Sequence, residues 1–413
     1  MNIAFVTPRF IVGGAETYII RKSQWLIEHG HNVLVISSGG CFVEMLPKEV
    51  KHIALENLSV APYTLSYNQL KYLLGTLTSI LQSEKIDMIE AHNTFPILYV
   101  FLSYRGHKIP FVLNVLNELS YDSNWELQKI TRILDKLKCY YTLTGKMNDY
   151  IEKRCGRSLH PTILPIPLND PSSKSYVGSN FQNYILTVGR LAPDKMYLKY
   201  LIKDFGAFLD ENKLYSDKTL VVVGDGPLKN EVEQMAHTIN SRCHRKAIVL
   251  LGSVVGEELE RLYAGCELYV GVGTTLLIAA SYAKPSIIGA SYTQLQPYAF
   301  GFWGTHPEDA DVISGSFDIV DRKKSYKNSF QNFYSVSEIQ RKQYGYQAYN
   351  LFKNNYGLNV IMKKWDAIYY NHTRNVSMSS IKKSAYFLYL FNIMLYPVYF
   401  LYKNLRLVYG KIS

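Results

Sequence analysis

Residues 184–195, Tyr184-Ile185-Leu186-Thr187-Val188-Gly189-Arg190-Leu191-Ala192-Pro193-Asp194-Lys195, decide how the chain reads. The first five form a short apolar run of the kind buried on both faces of a parallel sheet. The strand leaves through Gly189, and Arg190 and Lys195 then set two cations on one short loop ahead of a helix. A strand that ends in a glycine turn, with cations just beyond its carboxyl end, suits a phosphate group. Arginine offers a planar fork to phosphate oxygens and lysine a point charge, so the pair suits a diphosphate. Taken alone, the loop reads as a surface turn with two solvated charges.

The flanking sequence supplies the context. Leu198, Leu201, Phe205, Phe208 and Leu209 recur at helical spacing after Lys195. A second strand, Thr219 to Val223, ends in Gly224-Asp225-Gly226-Pro227 and leads to another helix. Further strands are expected at Ala247 to Leu251, closing in Gly252, at Glu267 to Val272, running into Gly273-Thr274-Thr275, and at Ser286 to Ile288. Apolar strands alternating with helices predict an α/β, doubly wound parallel sheet whose ligand crevice lies at the strands' carboxyl ends.

VGRL with a lysine five residues after the arginine, then VVVGDGP, then LLGSV, resembles the donor domain of retaining glycosyltransferases of family 4, which have the GT-B fold. The resemblance covers roughly residues 1 to 370. It implies two doubly wound Rossmann-like domains facing a cleft, with Arg190 and Lys195 clamping the diphosphate of a nucleotide-sugar. The expected division is 1–170 for the acceptor-side domain, 181–333 for the donor domain, 334–371 for crossover helices and 372–413 for a basic aromatic tail. A polar linker, Asn169 to Asn180, marks the boundary.

Composition bounds the alternatives. The 413 residues are enough for two domains of ordinary size. Cysteines 41, 139, 155, 243 and 266 are scattered, with no C-x-x-C pair, so neither a disulfide framework nor a zinc site is indicated. They read as reduced thiols in a cytoplasmic protein, and MNIAFVTPRF opens as a strand with no signal-peptide pattern. The net charge of +11 is uneven: residues 371–413 hold six Lys or Arg and no Asp or Glu. No concentrated basic face with a nucleic-acid module is recognisable, so nucleic acid is not an expected partner; the basic tail points to anionic lipid.

In the first half, strands are expected at Asn2 to Thr7 and Asn32 to Ser37. Gly13-Gly14-Ala15-Glu16 opens a helix running to about His29. Paired glycines there let backbone amides approach a ligand, and Glu16 favours the helix dipole. In the family this turn lies near donor phosphate and acceptor. Ile86 to Glu90 leads to His92, placed just past a strand's carboxyl end, where cleft residues arise. The resemblance assigns a histidine of this segment to the transferred sugar or acceptor; a structural histidine is the alternative. FVLNVLNE should carry a further family histidine where this chain has Leu116, leaving Asn114, Asn117 and Glu118 as polar candidates. Ile166 stands where the family's interdomain strand has asparagine.

The remaining departures lie at the donor site. The family places glutamates around the turn and helix before a Gly-x-Pro step, but GVGTTLLIAASYAKP carries no acid from Val270 to Pro285. Ile278 stands where the second glutamate belongs and cannot accept a hydrogen bond from a sugar hydroxyl. Glu308 or Asp309 are possible replacements. Met196 replaces the usual glycine after the lysine. Arg190, Lys195 and the Gly273-Thr274-Thr275 turn, with Thr274 as N-cap, can supply all the charge stabilisation a leaving diphosphate needs, so no metal and no cofactor are expected. Residues 305–333 show little periodicity. Ser384 to Tyr402 is free of charge and bounded by lysines. Its length meets the minimum for a span, while its tyrosines, Asn392 and Pro397 fit the headgroup zone. Interfacial anchoring is expected, with spanning and a soluble packing helix as alternatives.

The activity implied is transfer of a hexose from a nucleotide-sugar to a growing, lipid-linked glycan such as a bacterial capsule or exopolysaccharide precursor, at the inner face of the cell membrane. The alternative is a non-catalytic relative that binds a partner enzyme or a glycan there.

Overall fold

Uninterrupted apolar runs in short strands force both sheet faces to be covered, and the computed structural model shows two sheets built this way. It describes the chain except residues 12, 93, 123, 170, 172–180, 196, 291–297, 312, 314–321, 376–380 and 410–413. Most of the linker expected before residue 181, and Met196, therefore lie outside the described residues. The chain divides into two units: residues 1–167 with 361–413, and residues 168–360.

The first unit contains β1 (Asn2–Val6), β2 (Asn32–Ser37), β3 (Lys51–Ala54), β4 (Met88–His92), β5 (Phe111–Val115), β6 (Tyr140–Thr142) and β7 (Thr162–Ile163). All pair in parallel in the order β3-β2-β1-β4-β5-β6-β7, so the order reverses between β1 and β4. The reversal aims the loop after β1 and the end of β4 at one crevice. Strand β3 was not legible because it is a short edge strand with no buried residue. β4 runs two residues beyond the expected end, so His92 is its last residue.

The second unit contains β8 (Tyr184–Val188), β9 (Thr219–Val223), β10 (Ile248–Leu250), β11 (Leu268–Gly271), β12 (Ser286–Gly289) and β13 (Ala299–Phe302). The order is β10-β9-β8-β11-β12-β13, parallel except for the antiparallel edge pair β12 and β13. Its reversal falls between β8 and β11, which brings together the loops carrying Arg190 and Gly273. Leu201, Phe205 and Phe208 of helix Tyr197–Glu211 are fully buried over this sheet, together with Phe330. Phe330 belongs to helix Tyr326–Ser335, in a region expected to be irregular. That expectation is corrected: Tyr326, Ser329, Phe330, Phe333 and Tyr334 are all buried, at helical spacing, and Ser325 caps the helix by accepting from the Asn328 amide.

Three loops at the carboxyl end of this sheet are held backbone to backbone. Gly189 N donates to Val223 O at 3.0 Å, Leu191 N to Asp225 O at 3.0 Å, Leu228 N to Leu191 O at 2.8 Å and Gly224 N to Gly252 O at 2.7 Å. Gly224 has φ +144°, and a Cβ there would stand 1.9 Å from Gly189 O; at Gly226, φ +150°, the clash is with Leu191 O at 2.6 Å. Only glycine allows the second loop to lie this close beneath the first.

Within the tail, residues 381–409 form one helix, Ile381–Tyr409. Ile381, Ala385, Leu388 and Asn392 form a buried stripe at spacings of four and three, and the Asn392 amide donates to Glu126 Oε1 at 2.5 Å. The same helix exposes Phe387, Met394, Val398, Phe400 and Leu401.

Gly224→Ala is expected to lower stability by about 1–3 kcal/mol, the scale of local backbone strain. Urea denaturation showing wild-type stability would contradict the packing of these loops.

Candidate active site

In the first unit the site is organised by a charge inside the sheet. Glu90 lies in β4 with no solvent exposure, and a buried carboxylate needs donors on both oxygens. Lys22 Nζ donates to Oε2 at 2.7 Å, and Tyr369 OH donates to the same oxygen. His92 Nε2 and Asn114 Nδ2 both donate to Oε1 at 2.8 Å. Lys22 also donates to Tyr18 OH at 3.0 Å and stands 3.3 Å from the centroid of the Trp365 ring. Burial alone would raise the Glu90 carboxyl, but the Lys22 charge and the bonds from His92 and Lys22 outweigh it and hold the group well below the ordinary carboxylate range.

This arrangement explains why Lys22 can occupy the buried side of helix Gly14–Glu28 beside Tyr18, Ile19 and Leu26. Sequence reasoning passed over Lys22, Glu90 and Tyr369. The signal was Glu90 itself, a charge in the middle of Met88-Ile89-Glu90-Ala91-His92, which requires a buried partner.

His92 and Asn114 were expected on a cleft wall; the structure places both fully inside the unit, bonded to Glu90. Each keeps one polar atom without a hydrogen-bond partner, His92 Nδ1 and Asn114 Oδ1, as does Thr7 Oγ1. Thr7 immediately follows β1, and His92 pairs with Asn114 across β4 and β5, so the three lie at or next to the ends of adjacent strands at the sheet's reversal. Three buried, unpartnered polar atoms in such a row provide capacity for a water molecule or a substrate hydroxyl.

The loop before helix Gly14–Glu28 gives that helix no side-chain cap. Gly13 is extended at φ −172°, and a Cβ there would meet Glu16 Oε2 at 2.5 Å, so glycine leaves room for the carboxylate to fold back over the helix start. No atom lies within 4 Å of where a Gly14 Cβ would stand. Glu16 is half-buried; burial raises its carboxyl against its own amide and the His92 charge, which lower it.

In the second unit, Arg190 is exposed and bonded to Asp194 Oδ2 at 3.1 Å, whereas Lys195 is mostly buried and lies 3.9 Å from the same carboxylate. Burial lowers the Lys195 ammonium; Asp194 opposes that and Arg190 adds to it. Two cations about one carboxylate leave this loop a net charge of +1. The turn after β11 differs from expectation. Gly273, at φ +66°, is the N-cap of helix Thr274–Ser281 and makes no side-chain cap, so Thr274 is the first helical residue rather than the cap. Gly273 N donates to Ile313 O, and Thr275 Oγ1 donates to Val272 O at 3.0 Å.

Ile278 lies in this helix, half-buried, and the two expected replacements differ: Asp309 is closed off, while Glu308 is exposed. Asp309 is fully buried, accepting from the Gly304 and His306 amides at 2.8 and 3.1 Å and pairing with Arg322 at 2.8 Å. Glu308 pairs with the same arginine at 3.0 Å. Both carboxylates hold the loop from Trp303 to Asp311 together.

Comparison with known proteins accords with this geometry. Residues 12–164 match the family model Glycosyltransferase Family 4, and residues 182–292 match Glycosyl transferases group 1. The two matches stand in tandem, one on each sheet, and together they indicate a GT-B glycosyltransferase. Solved structures share the fold. A glycosyltransferase from Rickettsia africae ESF-5 is 16% identical with a TM-score of 0.66, over 90% of this chain and 99% of that one. Anabaena Alr3699/HepE in complex with UDP is 13% identical with a TM-score of 0.66, over 89% and 99%. The E. coli trehalose-6-phosphate structure bound with UDP-2-fluoro glucose is 10% identical with a TM-score of 0.62, over 91% and 100%. No curated protein matches the sequence.

Lys22→Met or Glu90→Leu alone should cost about 3–5 kcal/mol, because each leaves a buried charge unpaired, and the double variant should cost less than either. Chemical denaturation of the three variants checks this. Because its folded carboxyl is depressed, the stability Glu90 contributes is complete above its ordinary value of 4.5 and is lost as pH falls. Glu90→Gln should therefore remove part of the acid limb of the stability profile below about pH 4.5.

Proposed function

We propose that this protein transfers a hexose from a nucleotide-sugar to a growing, lipid-linked glycan at the inner face of the cell membrane, in capsule or exopolysaccharide biosynthesis. The observation that carries the proposal is the position of Arg190 and Lys195 on one loop at the carboxyl end of β8, held by glycine-mediated packing against the loop after β9. Anabaena HepE binds UDP and UDP-glucose on the same fold, which supports a nucleotide-sugar as donor.

In this reading the donor's anomeric C–O bond breaks, its electron pair goes to the leaving diphosphate oxygen, and the acceptor hydroxyl oxygen bonds to the anomeric carbon while its proton passes to that departing oxygen. Charge grows on the diphosphate as that bond lengthens. Arg190 and Lys195 then trade their contacts with Asp194 for the diphosphate, which stabilises the transition state more than the bound donor. In the first unit, the Gly13-Gly14 turn and the start of helix Gly14–Glu28 offer backbone amides to an anionic group. Thr7, His92 and Asn114 offer the polar atoms for a sugar or acceptor hydroxyl, oriented through Glu90. We propose net retention at the anomeric carbon, with neither metal nor cofactor. The apolar exposed face of helix Ile381–Tyr409 supports membrane attachment and a lipid-linked acceptor.

The second reading, a glycosyltransferase-like protein that binds a partner at the membrane without turnover, is favoured by one observation: Ile278 occupies the glutamate position, and Glu308 and Asp309 are tied to Arg322.

Arg190→Ala and Lys195→Ala are each expected to weaken binding of uridine or guanosine diphosphate by about 1.5–3 kcal/mol, measured by calorimetry. Unchanged binding would remove both residues from the site.

Ile278→Glu decides between the two readings. It should raise transfer or donor hydrolysis where the rest of the site is intact, scored only in protein that keeps its melting temperature, since a buried unpaired carboxylate destabilises. Wild-type turnover in the ordinary enzyme range with no gain in the variant would exclude the second reading. Absence of both turnover and nucleotide binding in either form would exclude the first.

A further inference from the structure

Helix Ile381–Tyr409 does more than expose apolar side chains; with two neighbours it closes a groove. Helix Tyr67–Ser83 begins at a full capping box, in which Ser66 Oγ accepts from Gln69 N at 3.3 Å and Ser66 N donates to Gln69 Oε1 at 3.0 Å. It packs tightly on helix Thr94–His107, since a Cβ on Gly106 would meet Thr78 Cγ2 at 2.8 Å, and Gln82 Nε2 donates to Gly106 O at 3.1 Å. Ala385 and Tyr389 of the C-terminal helix complete a cavity of about 500 Å³. Lys71, Thr78, Ser79, Gln82, Arg105 and Tyr386 line it, two cations among neutral hydrogen-bonding groups.

The charge of this surface is one-sided. No Asp or Glu occurs in Tyr67–Ser83, in Thr94–His107 or in Ile381–Tyr409. Lys382 and Lys383 are exposed on the last of these, and Arg105 lies 4.9 Å from the centroid of the Tyr386 ring. Alongside, Phe387, Met394, Val398 and Leu401 are each more than half exposed, as is Tyr72. Only 17% of the most apolar window of the helix is buried. Its inner stripe is fixed to the first unit, and Asn392 with Glu126 forms a buried bond that a membrane-crossing position would break. The helix therefore packs its inner stripe on the first unit and turns its apolar side outward, with cations beside it.

We infer that this groove is a binding site for the phosphate-bearing headgroup of an anionic membrane phospholipid, with the exposed face of the helix seated among the acyl chains at its rim. The inference rests on the membrane attachment proposed above and names the lipid class and its site. Lys71 and Arg105 supply the charge, Thr78, Ser79 and Gln82 the remaining polar contacts, and Tyr386 the amphipathic wall typical of the headgroup zone. Net charge alone does not select this location; the absence of acids on all three helices does.

The test is flotation of the full chain with phosphatidylglycerol–phosphatidylcholine vesicles and with pure phosphatidylcholine vesicles. Wild type should prefer the anionic vesicles. Lys71→Ala/Arg105→Ala should reduce partitioning to them at least tenfold and leave the weaker binding to phosphatidylcholine in place. Met394→Asp/Leu401→Asp, at exposed positions, should abolish binding to both. Lys48→Ala/Lys153→Ala, exposed lysines of the same unit, serves as the charge control and should cost little. Lys71→Ala/Arg105→Ala binding anionic vesicles like wild type, or matched in its loss by the control pair, would overturn the groove and leave membrane attachment standing. Wild type binding neither vesicle would overturn both. Two further results overturn the lipid assignment: full displacement from vesicles by millimolar soluble glycerol phosphate, which makes the ligand a free phosphate ester, or a wild-type dimer that Met394→Asp/Leu401→Asp converts to monomer, which makes the face an interface between copies.

Discussion

The first unit depends on a carboxylate in the middle of its sheet. Taking Glu90 out of water carries a large desolvation penalty, and four donors from four separate segments offset it: Lys22, His92, Asn114 and Tyr369. An apolar residue at position 90 alone would leave the buried Lys22 charge unpaired, so the carboxylate and its donors hold as a set. The carboxylate fixes which residue of helix Gly14–Glu28 faces the sheet, holds the His92 ring by its Nε2, and ties helix Leu358–Asn375 to the same point. The turn of Gly13-Gly14 inherits its position from that helix.

The second unit solves a similar positioning problem with glycine. Two cations repel, so a loop carrying both must be held from outside. Here the main chain of 189–191 is bonded to the main chain of 223–228, at a distance that Gly224 and Gly226 alone permit. Asp194 offsets one of the two charges. The two devices differ in kind, one electrostatic and buried, the other steric and at the surface, but each fixes a loop at the reversal of strand order.

The acid-free helix Thr274–Ser281 stands apart from this order. The helix is apolar on nearly every side, and the nearby carboxylates hold the Trp303–Asp311 loop through Arg322. Nothing in the structure explains why isoleucine occupies position 278. The C-terminal helix is easier to account for. A helix apolar all round satisfies the length rule for a membrane span, yet its inner stripe packs on the first unit through Ile381, Ala385, Leu388 and Asn392. What decides its placement is the partner on one side, which hydropathy along a chain does not contain.

The periodicity of the sequence determined a great deal by itself. Continuous apolar runs marked the parallel strands, glycine turns marked their carboxyl ends, and Arg190 and Lys195 could be placed on the loop after one of them, because these signals are local. The edge strands β3 and β13 were lost because four residues are too few to show a pattern. Helix Tyr326–Ser335 was legible in Tyr326, Phe330, Phe333 and Tyr334 and was obscured by the mixed sequence before it. Thr274 appeared to be a cap only because the sequence does not reveal that Gly273, with its positive φ, already ends the turn. The site in the first unit was half legible: His92 and Asn114 could be named, but not their burial or their common bond to Glu90. Those facts join residues 22, 90, 92, 114 and 369, and only tertiary structure brings together positions so far apart in the chain, because a buried charge selects its partners by distance in space and not by spacing in sequence.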